Sequence, residues 1–279
     1  MLFSNSLHKV SQKWRSRNQE SIEPEVFEFE GYRIPVELIK LTGAGPETFE
    51  IIAKSHIESY RKFIELRSDL NILEVGSGIG RDAIPFSRIL SPPGSYLGID
   101  IIKPSIDWCT ENITPRNPHV KFLHFDIRDQ LHNPSGSLKT KDVRIPVQDR
   151  SVDFICLQSV FTHMFEPDIV HYLSEFRRIL KSDGLVFATM FVVTPEVIES
   201  SRTKNLTAYD LRFEYQITED TYINDPVYPL GAIAFTADRI EKMAEKSGMR
   251  ISGPILPGSW SGLHEVTHGG QDTVILKVA

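Results

Sequence analysis

From residue 70 onward the apolar positions fall into short β-branched and aliphatic runs, separated by segments with helical spacing. This alternation is the mark of βαβ units and a mainly parallel sheet. The runs predict strands at Leu70 to Val75, Ser95 to Asp100, Val120 to Phe125, Val152 to Leu157 and Leu185 to Val193. Between the last two, Ile169, Tyr172, Leu173, Phe176, Ile179 and Leu180 recur along one face of an amphipathic helix, and Lys181-Ser182-Asp183-Gly184 supplies its stop. A second helix is predicted over Ala237 to Ser247, with Thr236 as N-cap, Asp238 in the first turn and Gly248 just past the end. Two final strands, about Met249 to Ile255 and Asp272 to Val278, close the sheet.

Three regions break this rhythm: residues 1 to 46, 129 to 150 and 194 to 235. Long irregular segments in a compact domain tend to carry function, so they are assigned to covering a site at the strand ends, with solvated decoration as the alternative. No stretch has linker composition and no repeat is found, which gives one domain over 47–279 with an N-terminal arm or cap over 1–46 and a lid insertion at about 194–235.

Composition narrows the choice of partner. A chain of 279 residues at 41% apolar can fill a core that buries roughly 70 to 75% of its unfolded surface. A net charge of −6 supplies no global attraction for nucleic acid or anionic membranes, so a small acceptor fits better. The longest apolar run, Leu185 to Val193, is about half of the roughly 20 residues a bilayer requires. With no signal-peptide core at the start, the expected location is cytoplasmic. Cys109 and Cys156 lack a CxxC partner and read as core residues. Lys9, Lys13, Arg15 and Arg17, followed by Glu20, Glu23, Glu25, Glu28 and Glu30, form either a solvated face or an arm for a partner or homodimer.

The strongest local signal is Ile72-Leu73-Glu74-Val75-Gly76-Ser77-Gly78-Ile79-Gly80-Arg81, a buried strand entering a glycine-rich turn and then a helix. Such a turn lets the backbone approach a ligand closely and presents the unpaired N–H groups of a helix start. The dinucleotide fingerprint G-x-G-x-x-G is not met, because Arg81 stands at the third glycine's place, and Glu74 would repel a pyrophosphate. The next strand ends in Asp100, 20 residues after Gly80, where a carboxylate can accept both hydroxyls of a ribose. A third strand runs into Phe125-Asp126-Ile127.

These residues resemble the first motifs of the class I S-adenosylmethionine-dependent methyltransferases: an acid, x, G-x-G-x-G after strand one, and acids ending strands two and three. Ser151 to Met164 resembles that family's strand four and following loop, and Arg178-Ile179-Leu180-Lys181-Ser182-Asp183-Gly184 its R-x-L-K-x-x-G helix and strand. The resemblance covers about residues 48 to 279. It implies a Rossmann-like, doubly wound α/β sheet of seven strands, mostly parallel with an antiparallel last strand, and helices on both faces. The implied cofactor is S-adenosyl-L-methionine, leaving as S-adenosyl-L-homocysteine. Glu74 would hold its ammonium directly or through water, Gly76, Ser77 and Gly78 would make room for it, and Arg81 would reach its carboxylate. Asp100 would take the ribose and Ile101 would lie against the adenine. Asp126 would accept from the adenine amino group, the Ile127 N–H would also face the adenine, and Gln158 would complete the set. Pro85 departs from the pattern and predicts a kink or late start of the first helix.

Methyl transfer from a sulfonium needs an aligned acceptor, and a base if that acceptor is a hydroxyl. His163, after strand four, is the candidate base or acceptor contact, although its neighbours Phe161, Met164 and Phe165 equally suit a core histidine. Leu157-Gln158-Ser159-Val160 lacks the (Asp/Asn)-Pro-Pro-(Tyr/Phe) element of enzymes that methylate DNA amines, which disfavours nucleic acid. No cysteine has the setting of a C5-cytosine nucleophile, and no carboxylate set for a metal is assembled. Tyr209, Arg212 and Tyr228 of the lid, with Trp260 and, less directly, Tyr215 and Tyr222, are candidate acceptor contacts. Tyr228 to Phe235 and Gly258 to Gly262, with the Gln271-Asp272 pair, resemble a bacterial subgroup associated with O-methylation of sugars or secondary metabolites, so a sugar or phenol hydroxyl is the expected acceptor, with hairpin packing as the other reading of these residues.

Three other readings compete. Nitrogen or carbon can replace oxygen as the acceptor, and the chain can be a cofactor-binding partner subunit without turnover. His264-Glu265-Val266-Thr267-His268 matches the H-E-x-x-H of zinc hydrolases, but that chemistry needs a helix, and flanking glycines with β-branched Val266 and Thr267 argue against one.

Overall fold

A computed structural model describes residues 25–204, 206–207 and 209–279. The charged run over residues 9 to 20 expected as a partner arm, with Glu23, lies outside the described residues. Five parallel strands lie side by side in the order β5 (Val120–His124), β4 (Ser95–Asp100), β3 (Asn71–Val75), β6 (Val152–Leu157) and β7 (Leu180–Val192). Antiparallel β12 (Asp272–Val278) continues the sheet along Val186 to Met190 of β7, and β11 (Met249–Ile251) pairs antiparallel with β12. These seven strands are the doubly wound sheet anticipated from the apolar runs, with the order reversing between β4 and β6 about β3. Ligands of open α/β sheets bind at such a switch point, outside the C-terminal strand ends.

Strand alternation builds two cores. Phe154 and Cys156 of β6 face one layer, while Ile155 and Leu157 face the other. On the first face lie α2 (Pro46–Arg61), α3 (Ala83–Ile89) and α4 (Lys103–Asn112), and on the second α5 (Glu166–Ile179) and α7 (Ala237–Lys246). Cys109 and Cys156 are buried and unbridged, as their spacing implied. α3 begins late, with Pro85 as its third residue, so the missing proline N–H falls where helical N–H groups lack partners anyway. Thr236 caps α7 by accepting from the Arg239 amide, and Gly248 follows it at φ +72°.

The structure corrects several boundaries. Lys181 to Gly184 does not separate a helix from a strand. β7 starts at Leu180, directly after α5, and these residues form an irregularity in its pairing with β6. β11 stops at Ile251 rather than Ile255. Two of the regions that broke the rhythm carry regular structure. Residues 26–40 form a hairpin, β1 (Val26–Phe29) and β2 (Tyr32–Pro35), followed by α1 (Val36–Lys40), and bury Phe29, Tyr32, Ile34 and Ile39 against Phe49 and Ala53 of α2. Residues 195–235 hold α6 (Pro195–Lys204) and the meander β8 (Tyr215–Thr218), β9 (Thr221–Ile223) and β10 (Ile233–Phe235), with β10 parallel to the end of β7. Residues 129–150 are largely irregular, apart from one short helical turn at Thr140–Asp142. His264 to His268 is a loop, so its two histidines do not share a helical face.

Candidate functional site

The C-terminal ends of β3, β4 and β6 bring the predicted residues together. After Val75 the chain turns through Gly76, Gly78 and Gly80, all at positive φ. A side chain on Gly76 would place its Cβ 2.4 Å from Val160 Cγ2, so a bare backbone is required where the loops after β3 and β6 meet. Gly98 of β4 is equally constrained, since a Cβ there would fall 2.8 Å from Ser77 Cβ. The Gly78 amide donates to Asp100 Oδ2 at 2.7 Å and the Ile102 amide to Oδ1 at 2.8 Å. Burial raises the Asp100 carboxyl above its ordinary range, against the pull of these two amides.

Glu74 is buried beneath the turn and accepts the Tyr96 hydroxyl proton. Burial, followed by repulsion from Asp82, pushes its carboxyl well above the usual range, although the Tyr96 hydrogen bond and Arg81 oppose the shift. Asp82 is buried too, yet its carboxyl lies below the usual range: burial works to raise it, but His56, Arg81 and the Tyr60 hydroxyl outweigh that. Two buried polar atoms of the turn, Ser77 Oγ and Arg81 Nε, have no hydrogen-bond partner among the described residues. Orphaned donors are costly inside a protein, and these two share one glycine turn beside two acids, where a polar ligand would satisfy them.

Asp126 and Ile127 are differently employed from the expectation. Asp126 accepts from Asn133 Nδ2 at 3.1 Å and from both the amide and the hydroxyl of Ser137, at 3.1 and 2.7 Å, and these bonds hold its carboxyl below the ordinary value. It fastens the 133–137 turn. The Ile127 amide donates to the Phe125 carbonyl at 2.7 Å, so that N–H is not available to an adenine in this conformation, and the Ile127 side chain is buried. Ile101 is half-buried against the second-face core.

Beyond β6, Gln158 donates through Nε2 to the Tyr60 hydroxyl at 3.2 Å. Ser159 stands at φ +59°, a strained setting for a non-glycine residue. Its amide donates to Thr189 Oγ1, Thr189 donates to Gln271 Oε1, and Gln271 Nε2 donates back to Ser159 Oγ at 2.8 Å, closing a ring across the ends of β6, β7 and β12. His163 lies on a helical turn, Phe161–His163, with Nδ1 2.8 Å from the Leu230 carbonyl. A carbonyl only accepts, so Nδ1 carries the proton and Nε2 holds the free lone pair. Burial lowers the pKa of His163, and the neighbouring His132, its ring centroid 5.8 Å away, lowers it further. His132 itself is shifted upward by its hydrogen bond to Asp129.

The expected acceptor contacts separate. Tyr209 and Tyr228 are exposed, and the Tyr209 hydroxyl donates to the Gly43 carbonyl at 2.5 Å, linking the insertion to the loop after α1. Arg212 is exposed and paired with Asp210 at 2.9 Å. Tyr215 is exposed on edge strand β8, while Tyr222 packs partly buried against a small apolar core. Trp260 belongs to that core and is no acceptor contact: it is buried against Phe191 and Phe213, and its indole N–H donates to Asp272 at 2.8 Å. Sequence reasoning did not anticipate Ser159, His132, Tyr60 or Asp82. Among these, the serine's setting after strand four was the readable clue.

Comparison with known proteins fits this geometry. A family model described as "Methyltransferase domain" matches residues 73–188. A rat (Rattus norvegicus) protein named arsenite methyltransferase is 25% identical over 160 residues, which are 55% of this chain and 37% of the relative. Among solved structures, an S-adenosylmethionine-dependent methyltransferase from Aquifex aeolicus superposes with a TM-score of 0.52 at 16% identity, covering 87% of this chain and 97% of that one. Phosphoethanolamine N-methyltransferase 1 from Haemonchus contortus gives 0.52 at 10% identity, over 86% and 47% of the two chains. Residues 73–188 carry the match to a methyltransferase domain, and the strand order is that of the class I S-adenosylmethionine-dependent methyltransferase fold. S-adenosylmethionine is the cofactor named for the Aquifex aeolicus protein. The turn fits that group, because Ser77 Oγ and Arg81 Nε are the donors an amino-acid carboxylate requires, with Glu74 as a counterpart for the ammonium. No helix among the described residues is long and apolar enough to cross a membrane.

Proposed function

We propose that this chain transfers the methyl group of S-adenosylmethionine to a hydroxyl of a small molecule, a sugar or a phenol, with His163 as the base. The observation that carries the reading is the pair of buried, unpartnered donors in the glycine turn, beside Glu74 and one step from Asp100. The cofactor supplies a methyl already activated by its sulfonium. Arg81 and Ser77 hold the carboxylate end, Glu74 the ammonium, and Asp100 the ribose, which fixes the methyl for in-line attack. His163 is suited to remove the hydroxyl proton, because its Nδ1 proton is committed to Leu230 and burial favours the neutral ring. The insertion over 194–235 serves as the acceptor lid, with Tyr209 and Tyr228 on its exposed side.

The activity named for the rat relative does not transfer with the matched segment. Trivalent arsenic is a thiol-seeking centre, and both cysteines of this chain are buried in the core. The test is formation of S-adenosylhomocysteine from S-adenosylmethionine across a panel of phenols, nucleotide sugars and primary amines. Turnover is expected with hydroxyl acceptors. Turnover with amines alone would replace oxygen by nitrogen, and failure to bind S-adenosylmethionine in calorimetry would overturn the catalytic reading.

A further inference from the structure

A buried relay ties the glycine turn to helix α2, outside the family motifs. Asp82, 1% exposed, accepts the Tyr60 hydroxyl proton at 2.6 Å and the His56 Nδ1 proton at 2.9 Å. Tyr60 is fully buried, its ring stacked on Phe86 and edged by Phe154 and Phe187. A phenol has one proton, and a carboxylate can only accept, so the Tyr60 proton is committed to Asp82. The hydroxyl then has only lone pairs to offer to Gln158. Gln158, at 3.2 Å, must meet it with its NH₂ group, which turns the carbonyl Oε1 the other way.

The strands decide what that oxygen meets. Glu74 pairs with Cys156 and Val75 with Leu157, so one step further along Gln158 stands abreast of Gly76. An acceptor at this position suits an ammonium ion, whereas an NH₂ group there would repel one.

We infer that Asp82 and Tyr60 are positioning residues for the cofactor: through the hydrogen-bond polarity of the relay they present the Gln158 carbonyl oxygen, rather than its NH₂, to the ammonium of the methionine end. This rests on the reading that the site takes S-adenosylmethionine. It predicts a ligand-selective defect. S-adenosylmethionine and S-adenosylhomocysteine carry the ammonium, while 5′-methylthioadenosine has the same adenosine part without it.

Calorimetric titration of the whole chain with all three ligands tests the proposal. Tyr60→Phe is expected to weaken both amino-acid-bearing ligands about tenfold, the scale of one hydrogen bond to a charged group, and to leave 5′-methylthioadenosine within about twofold. Because removing a buried hydroxyl can loosen the fold, the methylthioadenosine titration also reports whether the site is intact. Gln158→Leu should show the same selective loss, and the Tyr60→Phe/Gln158→Leu double variant should be no worse than Gln158→Leu alone, since the tyrosine acts through the glutamine. Equal weakening of all three ligands by Tyr60→Phe, or additive losses in the double variant, would overturn the relay. Wild-type chain that binds none of the three overturns the cofactor reading, and the relay falls with it.

Discussion

The Gly78 amide donates to Asp100 across 2.7 Å, so the turn after β3 and the end of β4 are fastened at one carboxylate. With Ile102 on the other oxygen, Asp100 is held rigid by backbone while keeping lone pairs free on the ligand side. In the proposed site those lone pairs receive the two ribose hydroxyls. Losing two hydrogen bonds to a charged group, each worth about 1.5–3 kcal/mol, should make Asp100→Ala bind S-adenosylmethionine about 10²- to 10⁴-fold more weakly. Calorimetry of the variant decides it, and unchanged affinity would remove Asp100 from the ribose position.

Glu74 gives a prediction in pH. Burial and the nearby Asp82 raise its folded-state pKa well above the unfolded value of about 4.3, so the cofactor-free fold binds this proton more tightly than the unfolded chain does. The stabilisation is fully present below the unfolded value and is lost as pH rises through the raised folded one. An ammonium beside Glu74 favours the ionised form, so binding should release a proton. Titrations in buffers of different ionisation enthalpy are expected to show that release for the wild type and none for Glu74→Gln. The variant should also lose the declining stability across the same window in urea denaturation.

Much of the site was legible because it is local. The strand, the turn and the acid two residues before Gly76 lie within ten consecutive residues, and Asp100 needs only the next strand in parallel register. What escaped was set by distant chain. Asp126 lies two residues past β5, which stops at His124 rather than Phe125, and its oxygens are claimed by a turn 7 to 11 residues on. Trp260 has the composition of an acceptor contact, yet Asp272, Phe191 and Phe213 from three other segments make it core. The Tyr60 to Asp82 bond crosses 22 residues and two elements, and no spacing rule announces it. The insertion was read as irregular because its strands are only three or four residues long, too short for alternation to register.

Asp272 fastens the loop that carries Trp260. It accepts from the Gly258 amide at 2.7 Å, the Val192 amide at 2.8 Å and the Trp260 indole at 2.8 Å, which pins the loop before β12 to the end of β7. Burial raises its carboxyl, although the three donors oppose the shift. Asp272→Ala would strand three donors in a buried place, at a cost of about 3–5 kcal/mol. Trp260→Phe keeps most of the apolar contact and drops one hydrogen bond, so about 1–2 kcal/mol is expected. Urea unfolding of both variants checks the order; a Trp260→Phe loss as large as that of Asp272→Ala would mean that packing, not the carboxylate, holds the loop.

With Nδ1 bound to Leu230, His163 works only while Nε2 is unprotonated, so its rate should fall on the acid side. Burial lowers its pKa, which places that acid limb below the ordinary histidine value of about 6.5. The positive charge favoured on His132 by Asp129 lowers it further. His132→Asn removes that charge and should move the limb to higher pH, whereas a purely structural effect of the substitution would scale the rate without moving the profile. His163→Ala should cut turnover about 10²- to 10⁴-fold and leave S-adenosylmethionine affinity within about twofold. Near-normal turnover would return His163 to the core, as a side chain whose hydrogen bond to Leu230 merely anchors the insertion to the end of β6.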